Sequence, residues 1–273
     1  MIGMCVRAAV ATALAIVMSL SFPRQSSASD ASDSWHEVAE NVFNGRPLAD
    51  GSNLITLEMP ERAEDAAVVP VTMRANLPPG DARTLRSITL VVDENPSPVA
   101  ATFNVGPGVT MISTRVRVNS YTKVHAVAEL SDAKLYEVAT YVKASGGCSA
   151  PMANNAQDAA ASLGQMRFRQ FLKTAPGPAS SPREAQIMIR HPNNSGLQRD
   201  QVSLLYIPLF IVRQLRVWQG DQLLLQMDGG ISISENPNIR FSYLPNGAGM
   251  FRAEAVDTEG HVFKGTWPVE PAT

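Results

Sequence analysis

The sequence predicts an all-β protein with two antiparallel β-sandwich domains, one short N-terminal helix and a flexible linker between the domains. Three observations predict this class. Short runs rich in β-branched residues recur on both sides of the chain's middle, and several alternate cleanly, as in "STRVRVNS". Turn-forming stretches such as "LPPG", "DENPSP" and "NVGPG" separate them. Between the two sets of runs, the composition changes to Ala, Ser, Gly, Asn and Pro.

Residues 1–28 have the pattern of a secretory signal peptide. Arg7 precedes the apolar run "AAVATALAIVMSLSF", and Ser26 and Ala28 provide the small residues before a cleavage site. The run is short for a membrane span, although an uncleaved anchor is the alternative. We therefore expect a secreted chain with no membrane span after cleavage. Removal of the signal would also remove Cys5.

The first predicted domain covers residues 34–144. It opens with the capping box "SWHE" at 34–37, which predicts a short amphipathic helix that ends near Gly45. Seven short strand-like runs follow, from "LITLE" to "KLYEVATYVKA". Strands this short and this frequent favour a sandwich over β-α-β units.

The linker is predicted at 145–165, where neither helical nor strand periodicity carries apolar residues. The second domain is predicted at 166–271, again from short strand-like runs, including "EAQIMIR", "LYIPLFIVRQLRVWQ" and "NIRFSY". "DTEG" and the Gln219-Gly220 pair are typical of hairpin turns.

Composition and motifs argue against several functions. A net charge of −2 without a Lys/Arg cluster does not support nucleic-acid binding. The four histidines lack paired-ligand spacing, so we predict no metal and no cofactor. No G-x-S-x-G elbow occurs, and we predict no enzyme activity. The four histidines that lack ligand spacing are His36, His125, His191 and His261.

Cys148 is the one residue whose setting suggests chemistry. After signal cleavage it is the sole cysteine, so it cannot close an internal disulfide. Its neighbours Gly146, Gly147, Ser149 and Ala150 carry no bulky apolar side chain. We therefore predict an exposed thiol, with the two glycines making the segment flexible. Burial as a small inert hydrophobe is the alternative.

Several stretches carry a resemblance to a known family. "TLVVDENPSPVAATFNV", "ISTRVRVNSYTKVHAVAELSDAKLY" and "VKASGGCSAP" resemble SoxY, the thiol-bearing subunit of the SoxYZ sulfur carrier. "IMIRHPNNSGLQRD" and the run from "IPLFIVRQLRVWQ" to "NIRFSY" resemble SoxZ. The order is similar to that of fused SoxYZ-like carriers associated with quinoprotein dehydrogenases.

The resemblance implies two immunoglobulin-like sandwiches, a periplasmic location and no catalysis by the chain itself. It also implies that Cys148 is the covalent attachment point for a sulfur-containing group, that Gly146 and Gly147 make its arm supple, and that the SoxY-like and SoxZ-like domains pair. SoxY ends soon after its cysteine in a Gly-Gly tail, whereas here Ser149-Ala150-Pro151 and a second domain follow.

Three functions are compatible with these features. The first is a periplasmic carrier that presents a sulfur-containing or other electrophilic group on Cys148 to redox enzymes, such as quinoprotein dehydrogenase systems or c-type cytochromes. The second is a docking module for such a partner, in which the thiol is incidental. The third is a thiol peroxidase, which is disfavoured because the sequence shows no activating base or resolving cysteine.

Overall fold

The structure is a computed structural model that describes residues 31–151, 160–171 and 181–270, with residues 31–34 described by their backbone alone. Strands dominate this part of the chain, and α1, Ala31–Phe43, precedes them. The predicted all-β class with immunoglobulin-like sandwiches is confirmed. No helix among these residues is long and apolar enough to span a bilayer.

The first half contributes eight strands after the helix. They are β1 (Leu48–Asp50), β2 (Ile55–Glu58), β3 (Val69–Ala75), β4 (Leu85–Val92), β5 (Val99–Val105), β6 (Met111–Val116), β7 (Thr122–Leu130) and β8 (Leu135–Val142). Strand β1, which the sequence pattern did not predict, pairs in parallel with β8.

The second half contributes seven strands. They are β9 (Met166–Phe171), β10 (Arg183–Ile189), β11 (Val212–Gln219), β12 (Gln222–Gly229), β13 (Asn238–Tyr243), β14 (Met250–Asp257) and β15 (Val262–Pro268). The predicted strand beginning at Leu205 is wrong in its first part, because β11 begins only at Val212.

The two halves share both of their sheets. One sheet has the order β1-β8-β7-β4-β5-β12-β11-β14-β15, and the other has the order β2-β3-β6-β13-β10-β9. The junctions are antiparallel pairs between β5 and β12 and between β6 and β13. Each half is thus a small sandwich, and the halves join edge to edge. This arrangement covers strand edges that two separate sandwiches would expose.

A single apolar core runs through both halves. Fully buried side chains such as Phe103, Ile112, Phe241 and Phe251 belong to the same cluster. Because the core does not stop at the seam, the two halves stabilise one another by burying apolar surface.

Helix α1 packs on the outer side of the larger sheet. Phe43 lies in a small cluster with Val91, Val127 and Leu135. The helix begins at Ala31, so the predicted start at Ser34 is wrong. Trp35 stacks on the imidazole of His125, with 3.6 Å between ring centroids.

Candidate functional site

Cys148 lies just past the end of β8, in what we call the thiol segment, residues 144–151. The chain leaving β8 runs beside two other strands of backbone. Lys143 N–H donates to Glu61 O at 2.8 Å, and Gly146 N–H donates to Asn119 O at 2.8 Å. The hydrogen bonds continue the β8 backbone pairing as far as a turn at the cysteine. For residues 145–151, the predicted flexible arm is therefore wrong; residues 152–159 of that prediction lie outside the described residues.

The two glycines serve the segment in different ways. Gly146 has φ +79°, a left-handed conformation that glycine adopts at no steric cost. Gly147 donates to Val118 O at 3.0 Å. A Cβ at this position would lie 2.0 Å from Ala66 O and 2.7 Å from Val118 O. In this structure, the role of Gly147 is to let two backbone segments lie in close contact. Backbone flexibility, which we predicted for this residue, is not needed for that contact.

The Cys148 thiol is buried, with 0% of the residue exposed. The prediction of an exposed thiol is therefore wrong for this state of the molecule. The second half contacts this segment through residues 193–198, which we call the covering loop. Ser195 donates its hydroxyl to Cys148 O at 2.5 Å, and Gln198 donates its side-chain amide to Ala150 O at 3.1 Å. Small neighbours did not leave the thiol in solvent, because another part of the chain packs over them.

The covering loop is itself held by buried polar contacts. Ser195 N–H donates to the Gln198 side-chain oxygen at 2.9 Å, which orients both covering residues. Asn193 donates its amide to Ile233 O at 2.9 Å and accepts from Val212 N–H at 2.9 Å. The loop is therefore fixed to the second half, and it reaches the thiol segment through the Ser195 hydroxyl and the Gln198 amide.

Burial raises the pKa of the Cys148 thiol to about 11, and the positive charge of Arg117 acts in the opposite direction. At pH 7, about one such thiol in ten thousand is ionised. Because the thiolate is the nucleophile, the closed arrangement is chemically quiet.

Arg117 is the charged residue of this site that the sequence analysis missed. Only 2% of the residue is exposed. Its guanidinium donates through Nη1 to Ile233 O at 2.6 Å, while the buried Nε has no hydrogen-bond partner. The alternation in "STRVRV" puts Arg117 on the same face as Arg115, and polar residues that alternate in this way usually face solvent. Arg117 is instead buried against residues of the second half. The alternation within one strand cannot show a contact with a distant part of the chain.

Lys143, the other cation near the thiol in sequence, bonds to the Glu61 carboxylate through Nζ at 2.5 Å. The Lys143 charge is therefore paired with a carboxylate that lies 82 positions earlier in the sequence. The Cys148 thiol responds to Arg117, which the sequence separates from it by thirty-one positions.

The histidines lie in structural contacts. His125 is held between Glu137, at 2.6 Å, and Asp93, at 3.1 Å. His191 and His261 both lie beside the buried Asp257. Across the described ranges, no group of three His, Cys, Asp or Glu side chains is arranged to hold a metal ion.

This geometry defines a thiol site built by two domains: one supplies the buried thiol, and the other donates hydrogen bonds to the backbone of Cys148 and Ala150. Two family models match the chain in the same order. The sulfur oxidation protein SoxY family matches residues 39–148, and the sulphur oxidation protein SoxZ family matches residues 173–268. Together they cover about three quarters of the sequence. The chain therefore belongs to the fused SoxYZ-like family.

Comparison with solved structures gives weaker likenesses. The sulfur carrier protein SoxY from Chlorobium limicola f thiosulfatophilum is 26% identical, covers 42% of this chain and 94% of its own, and has a TM-score of 0.36. A superoxide reductase (neelaredoxin) from Ignicoccus hospitalis is 15% identical over 33% of this chain and 79% of its own, with a TM-score of 0.29. Neither score supports a functional inference. No curated protein matches the sequence.

Proposed function

We propose that this protein is a non-enzymatic carrier whose Cys148 thiol covalently holds a sulfur-containing group and presents it to partner redox enzymes. The observation that carries this proposal is the position of the thiol. Cys148 is the last residue of the SoxY match, it is buried, and its carbonyl accepts a hydrogen bond from Ser195 of the SoxZ-like half. A sulfur carrier role is what the SoxY and SoxZ domains support.

Carriage requires the site to open, because a buried thiol cannot meet another protein. The covering contacts described above are hydrogen bonds from two side chains to the backbone of the thiol segment. Each such bond contributes about 1 kcal/mol, so a docked partner can displace them. Once the thiol segment is exposed, the pKa of the Cys148 thiol returns from about 11 towards 9.0. The thiolate fraction at neutral pH then rises about a hundredfold.

The location and the partners belong to the same proposal. Residues 1–28 would direct the chain to the periplasm and be removed there. The partners would be periplasmic redox enzymes, such as quinoprotein dehydrogenase systems and c-type cytochromes. They would form and break the bond to Cys148. The described hydrogen bonds to 146–150 come from backbone groups, the Ser195 hydroxyl and the Gln198 amide, and the charge that acts on Cys148 is that of Arg117; none of these groups acts as a base.

A second candidate is a docking module for such a partner, with the thiol incidental. Residues 200–209, which we call the apolar loop, favour it. Val202 is 93% exposed, and Leu204, Leu205 and Tyr206 are also exposed. Contiguous exposed apolar side chains are typical of protein interaction sites. Because this loop directly follows the covering loop, docking there and opening of the thiol site are compatible within one mechanism.

Intact-mass measurement separates the two candidates. The protein is isolated from its native host under non-reducing conditions, and its mass is compared before and after reduction. The carrier proposal predicts a reducible adduct that maps to Cys148 and is absent from Cys148→Ser. Ser149→Ala serves as a neighbouring control that retains the adduct. A mass that always corresponds to the free thiol, together with full activity of Cys148→Ser in the host, would favour the docking module.

A further inference from the structure

A basic cavity lies at the seam on the smaller sheet, and its lining includes neither Cys148 nor any residue of the covering loop. Its volume is about 260 Å³, and its polar lining consists of three arginines and three side-chain amides. The first half supplies Arg115, and the second half supplies the rest of this lining: Gln165, Arg167, Arg190, Asn236 and Asn238.

The β-sheet register places these side chains together. Met188 of β10 lies opposite Arg167 of β9 on one side and opposite Asn238 of β13 on the other. Directly opposite residues project from the same face of a sheet. Arg190 comes directly after the end of β10 at Ile189 and lines the same cavity. Strand β6 lies next to β13 and brings Arg115 to the row.

The charges in the cavity are incompletely matched by protein groups. Within the described part of the chain, Arg167 and Arg190 form no ion pair. Arg115 donates through Nη2 to Asn236 O at 3.1 Å, but its buried Nε has no hydrogen-bond partner. Burial lowers the pKa of the Arg115 guanidinium, and the charge of Glu235 acts in the opposite direction. Among the described residues, the cavity lining thus contains three guanidinium groups and no carboxylate.

We propose that this cavity binds a small divalent oxyanion, held by Arg115, Arg167 and Arg190. Guanidinium groups present planar pairs of N–H donors that match tetrahedral oxyanions, and side-chain amides add further donors. The cavity is smaller than those that usually hold drug-sized ligands, which suits an inorganic ion with a few waters. Sulfate, thiosulfate and phosphate share this chemistry. The proposal does not depend on a carrier function for Cys148.

Arg169 provides a matched control on the same face. It lies two positions from Arg167 on β9, outside the cavity lining, and its guanidinium packs over the ring of Phe171. Arg169→Gln therefore removes one positive charge from the same surface without removing a cavity donor. A cavity site and a merely basic surface predict different results for this variant.

The test is calorimetric titration of the full chain with thiosulfate, sulfate and phosphate, against chloride at equal ionic strength. We expect binding at about 10 mM or below. Arg167→Gln and Arg190→Gln should each weaken it about tenfold through loss of a charge-assisted hydrogen bond, while Arg169→Gln stays within about twofold. Arg115→Lys, which keeps the charge but removes the Nε–H, should also bind several times more weakly.

The comparison among the three anions identifies the source of the ligand. Tighter binding of thiosulfate or sulfate would make a sulfur oxyanion the ligand, and tighter binding of phosphate would make it phosphate; both results support the site. No saturable binding up to about 10 mM, or an equal loss in Arg169→Gln and Arg190→Gln, would overturn it. A response to chloride as large as that to the divalent anions would also overturn it. Thermal unfolding without anion checks that each variant is folded.

Discussion

The thiol segment and the apolar loop behave in opposite ways, and each departs from what its composition suggests. The thiol segment has almost no apolar side chains, yet Gly147 and Cys148 are buried. The apolar loop contains three leucines with one Val, one Ile and one Tyr, yet Val202 and Leu205 are largely exposed. The two regions are connected, since Ile207 N–H donates to Gln198 O at 2.8 Å in the loop that covers the thiol.

The difference shows that burial here follows the backbone as well as the side chains. Gly147 lets the thiol segment lie directly against the backbone of Ala66 and Val118, next to the buried Cys148. The apolar loop is turned away from the core by its own local bonds. Asp200 accepts from the N–H groups of Val202 and Ser203, and Leu204 adopts φ +61°. Such Asp-capped turns are stable without apolar burial.

Gly147→Val should produce the largest effect, because it directly prevents the close backbone contact. The new Cβ would lie 2.0 Å from Ala66 O, and backbone cannot move aside as a flexible side chain can. We expect a loss of about 3 kcal/mol in the free energy of unfolding, measured by urea denaturation. Cys148 should react with maleimide far faster than in the parent.

Gly146→Ala is the matched control for this variant. No atom lies within 4 Å of a Cβ at Gly146, so only its φ of +79° opposes the change. The cost should be about 1 kcal/mol, and Cys148 should stay protected. Equal losses at the two glycines would contradict the role given to Gly147.

Acid should loosen the covering loop through His191. Burial lowers the pKa of His191 to about 4, with Asp257 acting in the opposite direction. The imidazole Nδ1 accepts from Asn193 N–H at 3.0 Å, which requires the neutral ring. The unfolded chain takes up the proton near pH 6.5, whereas the folded chain resists it. Stability should therefore fall by about 2–3 kcal/mol as the pH drops from 6.5 to 4.

His125 supplies the contrasting case in the first half. Burial lowers the pKa of His125, but the hydrogen bonds and charges of Asp93 and Glu137 outweigh it, so the pKa is raised. Its contribution to stability is present below the unfolded value of 6.5 and is lost as the pH rises through the folded value. Urea denaturation across pH 4–8 checks this contrast. His191→Gln should remove a rise of the free energy of unfolding with pH, and His125→Gln should remove a fall.

The covering contacts should be worth less than the glycine contact. Ser195→Ala combined with Gln198→Ala removes both side-chain bonds to the thiol segment, at about 1 kcal/mol each. If the site opens by local release, the maleimide reaction of Cys148 should accelerate about tenfold or more. Ser203→Ala, in the exposed apolar loop, is the control and should leave the rate unchanged. An unchanged rate in the double variant would show that these bonds do not close the site.

The smallest effect on stability is expected in the apolar loop. Val202→Ser and Leu205→Ser replace exposed side chains, so each should change the free energy of unfolding by less than about 0.5 kcal/mol. Both should weaken binding of a partner protein in pull-down measurements with host periplasmic extract. A loss of about 2 kcal/mol or more would mean that the loop is buried in the working molecule, and the contrast with the thiol segment would disappear.

The sequence predicted the fold class because short alternating strands carry a local signal, and the structure confirms two sandwiches behind one helix. It did not predict the shared sheets, because the pairing of β5 with β12 joins residues more than a hundred positions apart. It singled out Cys148 but not its burial, since Arg117, Ser195 and Gln198 reach it only in the folded chain. The sequence singled out Gly147 for backbone flexibility, whereas in the structure its lack of a side chain allows close contact with the backbone of Ala66.

The rate of Cys148 modification tests the central claim most directly. In a Cys5→Ser background, Cys148 is the sole thiol, and its reaction with maleimide can be followed in native protein and in urea. A closed site predicts a native rate about a hundredfold or more below the unfolded rate, because the thiolate is suppressed and the sulfur is covered. A native rate equal to that of the unfolded chain would contradict the account, because the thiol would then face solvent at rest.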